Sequence, residues 1–180
     1  MAGSPTHGRE GVLYLSTSTG STAYGTEVAW ANDWTYSPSN ENTEITPLNN
    51  NSVYYVEGLV SGSVSASGSL ISGSATQRAL LSKFAKVFVD TGDTLDADTN
   101  ADAIGDGNLY LHLVAKPIDT QGTSDDARGQ KYVVPVLASG FSVEASGGDI
   151  VGWSYDGQQN GDALYIESTS TAYGLPKKAY

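Results

Sequence analysis

The chain has 180 residues and no cysteine, and 20 acidic residues against 9 basic ones give it a formal net charge of −11. This length predicts one domain that buries roughly 70% of its unfolded surface. The missing cysteines exclude disulfides, thiolate chemistry and cysteine-ligated zinc sites, and the acidic balance argues against tight DNA binding, which depends on cations that displace counterions from phosphates.

Composition and texture indicate a mainly β protein. The 21 glycines, 11 tyrosines and frequent β-branched residues are typical of strands joined by many turns. No apolar run approaches the eighteen or so residues that a membrane helix needs, so we expect no membrane span. The N-terminal MAGSPTHGREG lacks the basic and apolar regions of a secretion signal, and we expect residues 1–10 to form a flexible arm.

Two patterned strands are predicted early in the chain. After a short strand at Gly11–Thr17, the run Thr26–Ser37 places large apolar residues in one period-2 phase, which predicts a half-buried strand with its tryptophans in the core. These residues are Val28, Trp30, Trp34 and Tyr36.

The second strand, Leu59–Ile71, carries serine at five successive odd positions. Its even positions are small or apolar, so one face of this strand is a ladder of hydroxyl groups. Such a face is either the solvent side of an ordinary sheet or the wall of a channel. The ladder consists of Ser61, Ser63, Ser65, Ser67 and Ser69.

Between the two strands lies a polar segment, Pro38–Gly58, which at about twenty residues is longer than a hairpin turn needs. Glu41–Pro47 and Ser52–Glu57 contain enough β-forming residues to pair as a protruding hairpin, with the triple asparagine at its tip. We interpret this loop as functional. Its candidate interaction residues are Glu41, Asn42, Glu44, Asn49, Asn50, Asn51, Tyr54 and Tyr55.

One amphipathic helix is predicted to begin near Ser74, because Ser74 and Gln77 fit a capping box. Helical spacing of apolar residues continues through Leu80, Leu81, Phe84, Val87 and Phe88, and Gly92 is a plausible stop. A single helix among strands is expected to cover one face or one open end of a sheet.

The following segment, Asp90–Gly107, contains six aspartates. Asp96, Asp98, Asn100 and Asp102 match the alternate positions of a calcium loop, but Ala101 and Gly107 stand where that loop needs glycine and glutamate. A solvated acidic loop is therefore the favoured interpretation, with cation binding as the alternative.

Strand patterns resume in the second half of the chain, where Pro135 indicates an edge position or a bulge. Leu164–Ser168 is the last predicted strand, residues 169–180 form a C-terminal tail, and Gly174–Tyr180 is expected to be loose. The other predicted strands are Asn108–Lys116, Lys131–Ala138, Phe141–Ala145 and Ile150–Tyr155.

No catalytic, cofactor or metal motif is found, and an enzyme is not expected. The two histidines, His7 and His112, stand in the flexible arm and within a strand, and the chain has no nucleophile or phosphate-loop signature. We therefore predict no catalytic, cofactor-binding or metal-ligating residues.

The order of these features resembles the tail tube (major tail) proteins of long-tailed bacteriophages over residues 11–168. The resemblance lies in the tryptophan strand AWANDWTY, the loop SNENTEITPLNNN, the strand GLVSGSVSASGSL, one helix, and the late segment VLASGFSVEASGGDIVGWSYDGQQNG. It implies a β-sandwich or barrel-like domain with a flanking helix.

The resemblance further implies hexameric rings that stack into a virion tube, assembled in the host cytoplasm, through which double-stranded DNA passes without specific binding. It implies partners among the tape measure, terminator and distal tail proteins. It places residues 38–58 between rings and the serine ladder at the lumen, where six copies would carry a charge of about −66.

Two other functions remain open on the sequence. A carbohydrate-binding or adhesin-type β-sandwich would use Trp30, Trp34 and Trp153 as stacking surfaces. A capsid decoration or tail-terminator subunit would share the texture but would not stack without limit.

Overall fold

A computed structural model describes residues 11–16, 26–45, 54–85, 88–90, 95–97, 109–123, 127–147 and 149–179. These residues form a mainly antiparallel β structure with one α-helix, which confirms the predicted fold class. No helix among them is long and apolar enough to cross a membrane. The elements are β1 (Val12–Ser16), β2 (Thr26–Glu27), β3 (Ala31–Ile45), β4 (Tyr54–Ser69), α1 (Ala75–Leu81), β5 (Phe88–Asp90), β6 (Leu95–Ala97), β7 (Leu109–Lys116), β8 (Gly129–Glu144), β9 (Gly152–Gln159) and β10 (Leu164–Ser168).

Eight strands form one sheet that folds over into two layers. The strand order is β2-β1-β7-β8-β9-β4-β3, and β10 also pairs with β8. The long strand β8 belongs to both layers: residues 130–136 pair with β7, and residues 136–144 pair with β9. A register shift between Ala138 and Gly140 bends β8 between them, because a bulge increases local twist. We call β2-β1-β7-β8 the first layer and β8-β9-β4-β3 the outer layer.

The core lies between the two layers. Leu13, Leu111 and Val134 come from the first layer, and Val64 and Tyr155 come from the outer layer; all are buried in one cluster. Their positions follow the period-2 pattern that alternates side chains between the faces of a strand. The two end strands of the sheet, β2 and β3, are consecutive in the chain, so the sheet curls until they meet.

The helix covers the place where β2 and β3 meet. Ser74 caps its N-terminus, as predicted, and accepts a hydrogen bond from the Gln77 backbone N–H (3.4 Å). The Gln77 side chain does not complete a capping box: its amide donates to the carbonyl oxygens of Ala29 and Ser69 (2.9 Å each), and its oxygen accepts from the Ile71 N–H (2.8 Å). One buried amide thus joins the helix to β4 and to the segment that precedes β3.

The helix is shorter than predicted. It ends at Leu81, and its C-cap is Ser82. Phe88 begins strand β5, and Val87 and Gly92 lie outside the described residues. Apolar spacing overestimates the length because Phe84 follows in a turn, where it packs against the partly buried Phe141 with ring centroids 6.4 Å apart.

Three strand predictions differ from the structure. The predicted strand 26–37 is interrupted at Val28–Trp30, because β2 pairs with β1 whereas β3 pairs with β4. The predicted strands 131–138 and 141–145 are one strand, β8. Pro135 lies inside this strand and not at an edge. It stands where the partner of β8 changes from β10 to β9, and its carbonyl accepts a hydrogen bond from the N–H of Asn160, the residue after β9.

The C-terminal segment is docked and not loose as predicted. Leu175 is fully buried, and Lys177 forms a parallel bridge with Ile118. The Ile118 N–H donates to the carbonyl of Pro176 (2.7 Å), and the Lys178 N–H donates to the carbonyl of Ile118 (2.8 Å). These bonds add a short strand-like segment beyond β7.

Candidate assembly surfaces

The serine ladder of β4 alternates in exposure as its pattern predicts. Ser61, Ser63 and Ser65 are exposed, and Ser67 and Ser69 are half-buried. The intervening residues Gly62, Val64, Ala66 and Gly68 are buried against the core. The hydroxyl groups therefore lie on the face of the outer layer that points away from the core.

This hydroxyl face extends over all four strands of the outer layer. In the register, ladder positions oppose Asp33, Thr35, Ser37 and Ser39 of β3, and Ser154, Asp156 and Gln158 of β9; β9 in turn opposes Leu137, Ser142 and Glu144 of β8. Hydroxyl pairs connect neighbouring strands: Ser39 lies 2.9 Å from Ser61, and Ser142 lies 2.8 Å from Ser154. We call this surface the polar face.

The charges on the polar face are all negative. It carries Asp33, Glu144 and Asp156 and no lysine or arginine among its paired positions. The Asp33 carboxylate accepts a hydrogen bond from Ser67 (2.7 Å). Small polar side chains and carboxylates without cations make a smooth surface that repels a polyanion.

The outer layer has two free edges among the described residues. At one side β3 pairs with β4 and with no other strand, and at the other side residues 137–144 of β8 pair only with β9. Unpaired edges present rows of backbone N–H and C=O groups that invite pairing with another chain.

The predicted loop 38–58 is the continuation of β3 and β4 into a protruding hairpin. Pairing continues from Pro38–Gly62 to Ile45–Tyr54, with a register shift between Asn40 and Asn42. At this bulge Gly58 lies so close to the carbonyl oxygen of Glu41 that a Cβ atom would overlap it. We call residues 40–45 and 54–60 the arm. The predicted tip, Asn49–Asn51, lies outside the described residues.

The arm has no core of its own and exposes apolar side chains. A two-stranded ribbon of this kind is marginally stable alone, and exposed apolar patches mark interaction sites. The arm exposes four of the predicted interaction residues, Glu41, Asn42, Glu44 and Tyr55. A fifth, Tyr54, pairs with Ile45 in the arm. The exposed apolar residues are Ile45 (48%), Tyr55 (68%), Val56 (50%), Leu59 (82%) and Val60 (60%).

The sequence prediction missed four of these apolar residues, Ile45, Val56, Leu59 and Val60. Ile45 and Val56 lie within residues 38–58, which were interpreted as a polar loop. Leu59 and Val60 were assigned to the predicted strand Leu59–Ile71, and their exposure was not predicted.

The three tryptophans have different environments. Trp153 is buried, donates its indole N–H to the carbonyl of Ser69 (3.1 Å) and stacks on Phe141 with centroids 6.2 Å apart. Trp34 packs partly buried against the core. Trp30 is 67% exposed and has a φ of 56°, so the prediction that it belongs to the core is wrong. It lies in the turn between β2 and β3, where the period-2 pattern does not apply.

A buried basic pair lies in the first layer, on the face of the sheet away from the main core. Lys131 Nζ is 3.2 Å from His112 Nδ1, and both side chains are buried. Burial, together with the smaller effect of the nearby Lys131 charge, lowers the pKa of His112 to about 4. Burial also lowers the pKa of Lys131 to about 8.

The carboxylates of the described residues were compared with the requirements of a metal site. The described residues contain no group of three histidine, aspartate or glutamate side chains that could hold a metal ion. Most of the aspartate loop, including Asp98, Asn100 and Asp102, lies outside them. A cleft of about 380 Å³ between β1 and β3 holds one carboxylate, Asp33, which already accepts from Ser67.

Comparisons with known proteins find the same fold in assembled tails and tubes. No family model and no curated protein matches the chain. A chain of the tail of a gene transfer agent particle, refined with C6 symmetry, matches with a TM-score of 0.55 and 13% identity over 90% of this chain and 99% of that one. A chain of the SPP1 tail tube matches with a TM-score of 0.56 and 14% identity over 93% and 82%. A chain of the sheath–tube complex of an extracellular contractile injection system, PVC, matches with a TM-score of 0.55 and 9% identity over 91% of each. This chain has the fold of tail tube proteins.

Proposed function

We propose that this chain is the structural subunit of a tail tube, in which six copies form a ring and the rings stack into a conduit for double-stranded DNA. The observation that carries the proposal is the outer layer, which combines one polar face without cations and two free edges. The fold shared with chains of a C6-symmetric tail and of a tail tube supports it.

Ring closure follows from the two free edges. The strands of the outer layer alternate in direction, so β3 of one copy runs antiparallel to residues 137–144 of β8 in the next copy. Pairing these edges around a ring gives one continuous barrel, which removes every exposed edge.

The polar face then becomes the wall of the lumen. Its hydroxyl groups are wetted by water, and its three carboxylates repel phosphates, so DNA passes without being held. The protein acts in the virion tail after assembly in the host cytoplasm. Tape measure, terminator and distal tail proteins are its expected partners, and no catalytic step is needed.

Electron microscopy of the purified protein tests this function. We expect long tubes of uniform width that show six-fold symmetry in cross-section. Single rings that do not stack would indicate a terminator subunit. Monomers at all concentrations would contradict self-assembly and favour a binding module.

A further inference from the structure

We propose that Trp30, Leu70 and Ile150 form an acceptor surface that binds the arm of a second copy of this chain in the next ring. This inference rests on the proposed function and specifies the surface that continues the tube. The arm and the acceptor surface lie at opposite ends of β4. Both expose apolar residues, and the acidic arm would meet the basic helix that borders the acceptor surface.

The directions of the outer layer require such an end-to-end contact. Its polar face points to the lumen, and its edges point to neighbours in the ring, so only its two ends point along the tube. The arm lies at the start of β4, and Leu70 follows the end of β4. The centre of the arm is therefore about 40 Å from the acceptor surface, at the usual rise of about 3.3 Å per residue. Contact between two different surfaces of one chain is heterologous and generates an open stack.

The backbone brings the three acceptor residues together. The carbonyl of Trp30 accepts a hydrogen bond from Ser69 (3.0 Å), and the N–H of Leu70 donates to Val151 (2.7 Å), which follows Ile150. Trp30 is 67% exposed, Leu70 39% and Ile150 74%. Three exposed apolar residues thus lie on neighbouring backbone segments at one end of the sheet, and exposed apolar groups of this kind mark interaction sites.

The backbone of Trp30 also points to a role outside folding. Its φ of 56° is unfavourable for a residue with a large side chain, and the ring gains little burial in return. Strain of this kind persists at sites where it serves recognition. The strained turn holds the indole on the surface, where a partner can bury it.

Charge favours the arm as the occupant. Residues 38–62 contain Glu41, Glu44 and Glu57 and no basic residue, whereas residues 74–85 of the helix and the following turn contain Arg78 and Lys83 and no acidic residue. The helix borders the acceptor surface through the Gln77 bonds to Ala29 and Ser69. On the helix side an acidic apolar arm therefore meets an apolar surface with a basic border, whereas Glu144 and Asp149 lie beside Ile150 on the opposite side.

Disulfide cross-linking tests the contact cleanly, because the chain has no cysteine. The variant that carries both Tyr55→Cys and Trp30→Cys is assembled at a concentration far above that needed by the parent chain, to offset the lost indole, and is then oxidised and run on a non-reducing gel. We expect a ladder of covalent polymers that exceeds the dimer, since each copy offers one arm and one acceptor. Each single variant should remain a monomer on the gel. A dimer from Tyr55→Cys alone would show that arms meet arms and would overturn the proposal.

A glycine substitution separates assembly from folding. Trp30→Gly removes the indole and relieves the backbone strain, so the melting temperature should stay the same or rise. The concentration needed for tube formation should rise at least about tenfold, because an aromatic anchor is lost. Tyr173→Ala is the matched control, an exposed aromatic residue (47%) outside both surfaces, and should change neither quantity.

The outcomes distinguish this surface from the proposed function. If the unmodified chain forms no tubes, the tube function and the acceptor surface both fail. If it forms tubes but the double-cysteine variant forms tubes without a ladder, and Trp30→Gly assembles normally, the acceptor surface alone is wrong.

Discussion

Lys131 shows how far one side chain can depart from the usual rule for its type. Lysine is rarely buried without a partner acid, yet this one is fully buried beside His112. The pKa of each group is lowered, because burial disfavours its charged form, and for His112 the nearby Lys131 charge adds to the effect. His112 binds fewer protons in the fold than in the unfolded chain between pH 6.5 and about 4, and Lys131 does so between pH 10.5 and about 8.

This pair predicts a pH-dependent stability. Because the unfolded chain binds the extra proton on His112, the free energy of unfolding should fall as pH is lowered from 6.5 to 4, by up to about 3 kcal/mol. For Lys131 the same sign applies, and stability should rise as pH increases from 8 to 10.5. Replacing both residues, with His112→Leu and Lys131→Met, removes these contributions. Urea unfolding of the monomer across pH measures the difference, and parallel curves for the two proteins would contradict the expectation.

At the scale of elements, the helix and the arm contrast in how they are held. The helix has only seven residues, too few to be stable alone, and is fixed by the bonds of Gln77 and by burial of Leu80. The arm continues two well-paired strands, but it extends beyond the core that would bury its apolar residues. The first element depends on the fold, and the second on a partner.

The substitution Gln77→Leu should destabilise the protein by about 2–4 kcal/mol. It leaves the carbonyl of Ala29 and the N–H of Ile71 without their side-chain partner in a poorly hydrated site, whereas the Ser69 carbonyl keeps the indole N–H of Trp153. Chemical denaturation measures the loss. Gln158→Ala, on the exposed polar face, is the control and should stay within about 0.5 kcal/mol of the parent. Equal stability of the two variants would show that the Gln77 bonds add nothing.

Deletion of residues 42–53, with a Gly-Asn turn in their place, should leave a folded monomer that cannot form tubes. The described residues among them, 42–45, do not belong to the core cluster, so the melting temperature of the monomer should change little. Negative-stain microscopy checks assembly. Long tubes from this variant would contradict a stacking role for the arm.

At the scale of the whole molecule, the face, the edges and the ends of the outer layer have three different proposed roles. Its face is polar and acidic, its edges are unpaired, and its ends expose apolar residues. A single subunit thus leaves backbone groups unpaired at the edges and apolar side chains exposed at the ends. Assembly would pair the first and bury the second.

The lumen assignment predicts a specific defect. Replacing Ser65 and Ser67 together by arginine should leave rings and tubes intact, because the edges and ends are unchanged, but should slow or block DNA passage by placing about twelve cations on the wall of each ring of six copies. The change to asparagine at both positions is the neutral control. Infectious yield of a virion that carries each variant is the measurement, and a normal yield for the arginine variant would contradict the assignment.

Sequence by itself determined the β class, the alternation of the serine ladder, the start of the helix at Ser74 and the strand Leu164–Ser168. These features depend on local periodicity and capping, which neighbouring residues specify. Only the tertiary structure decided that Trp30 is exposed, that β8 serves two layers, that Gln77 joins separate elements and that Lys131 meets His112. Each of these depends on partners distant in the chain, and local patterns carry no information on which distant residues meet.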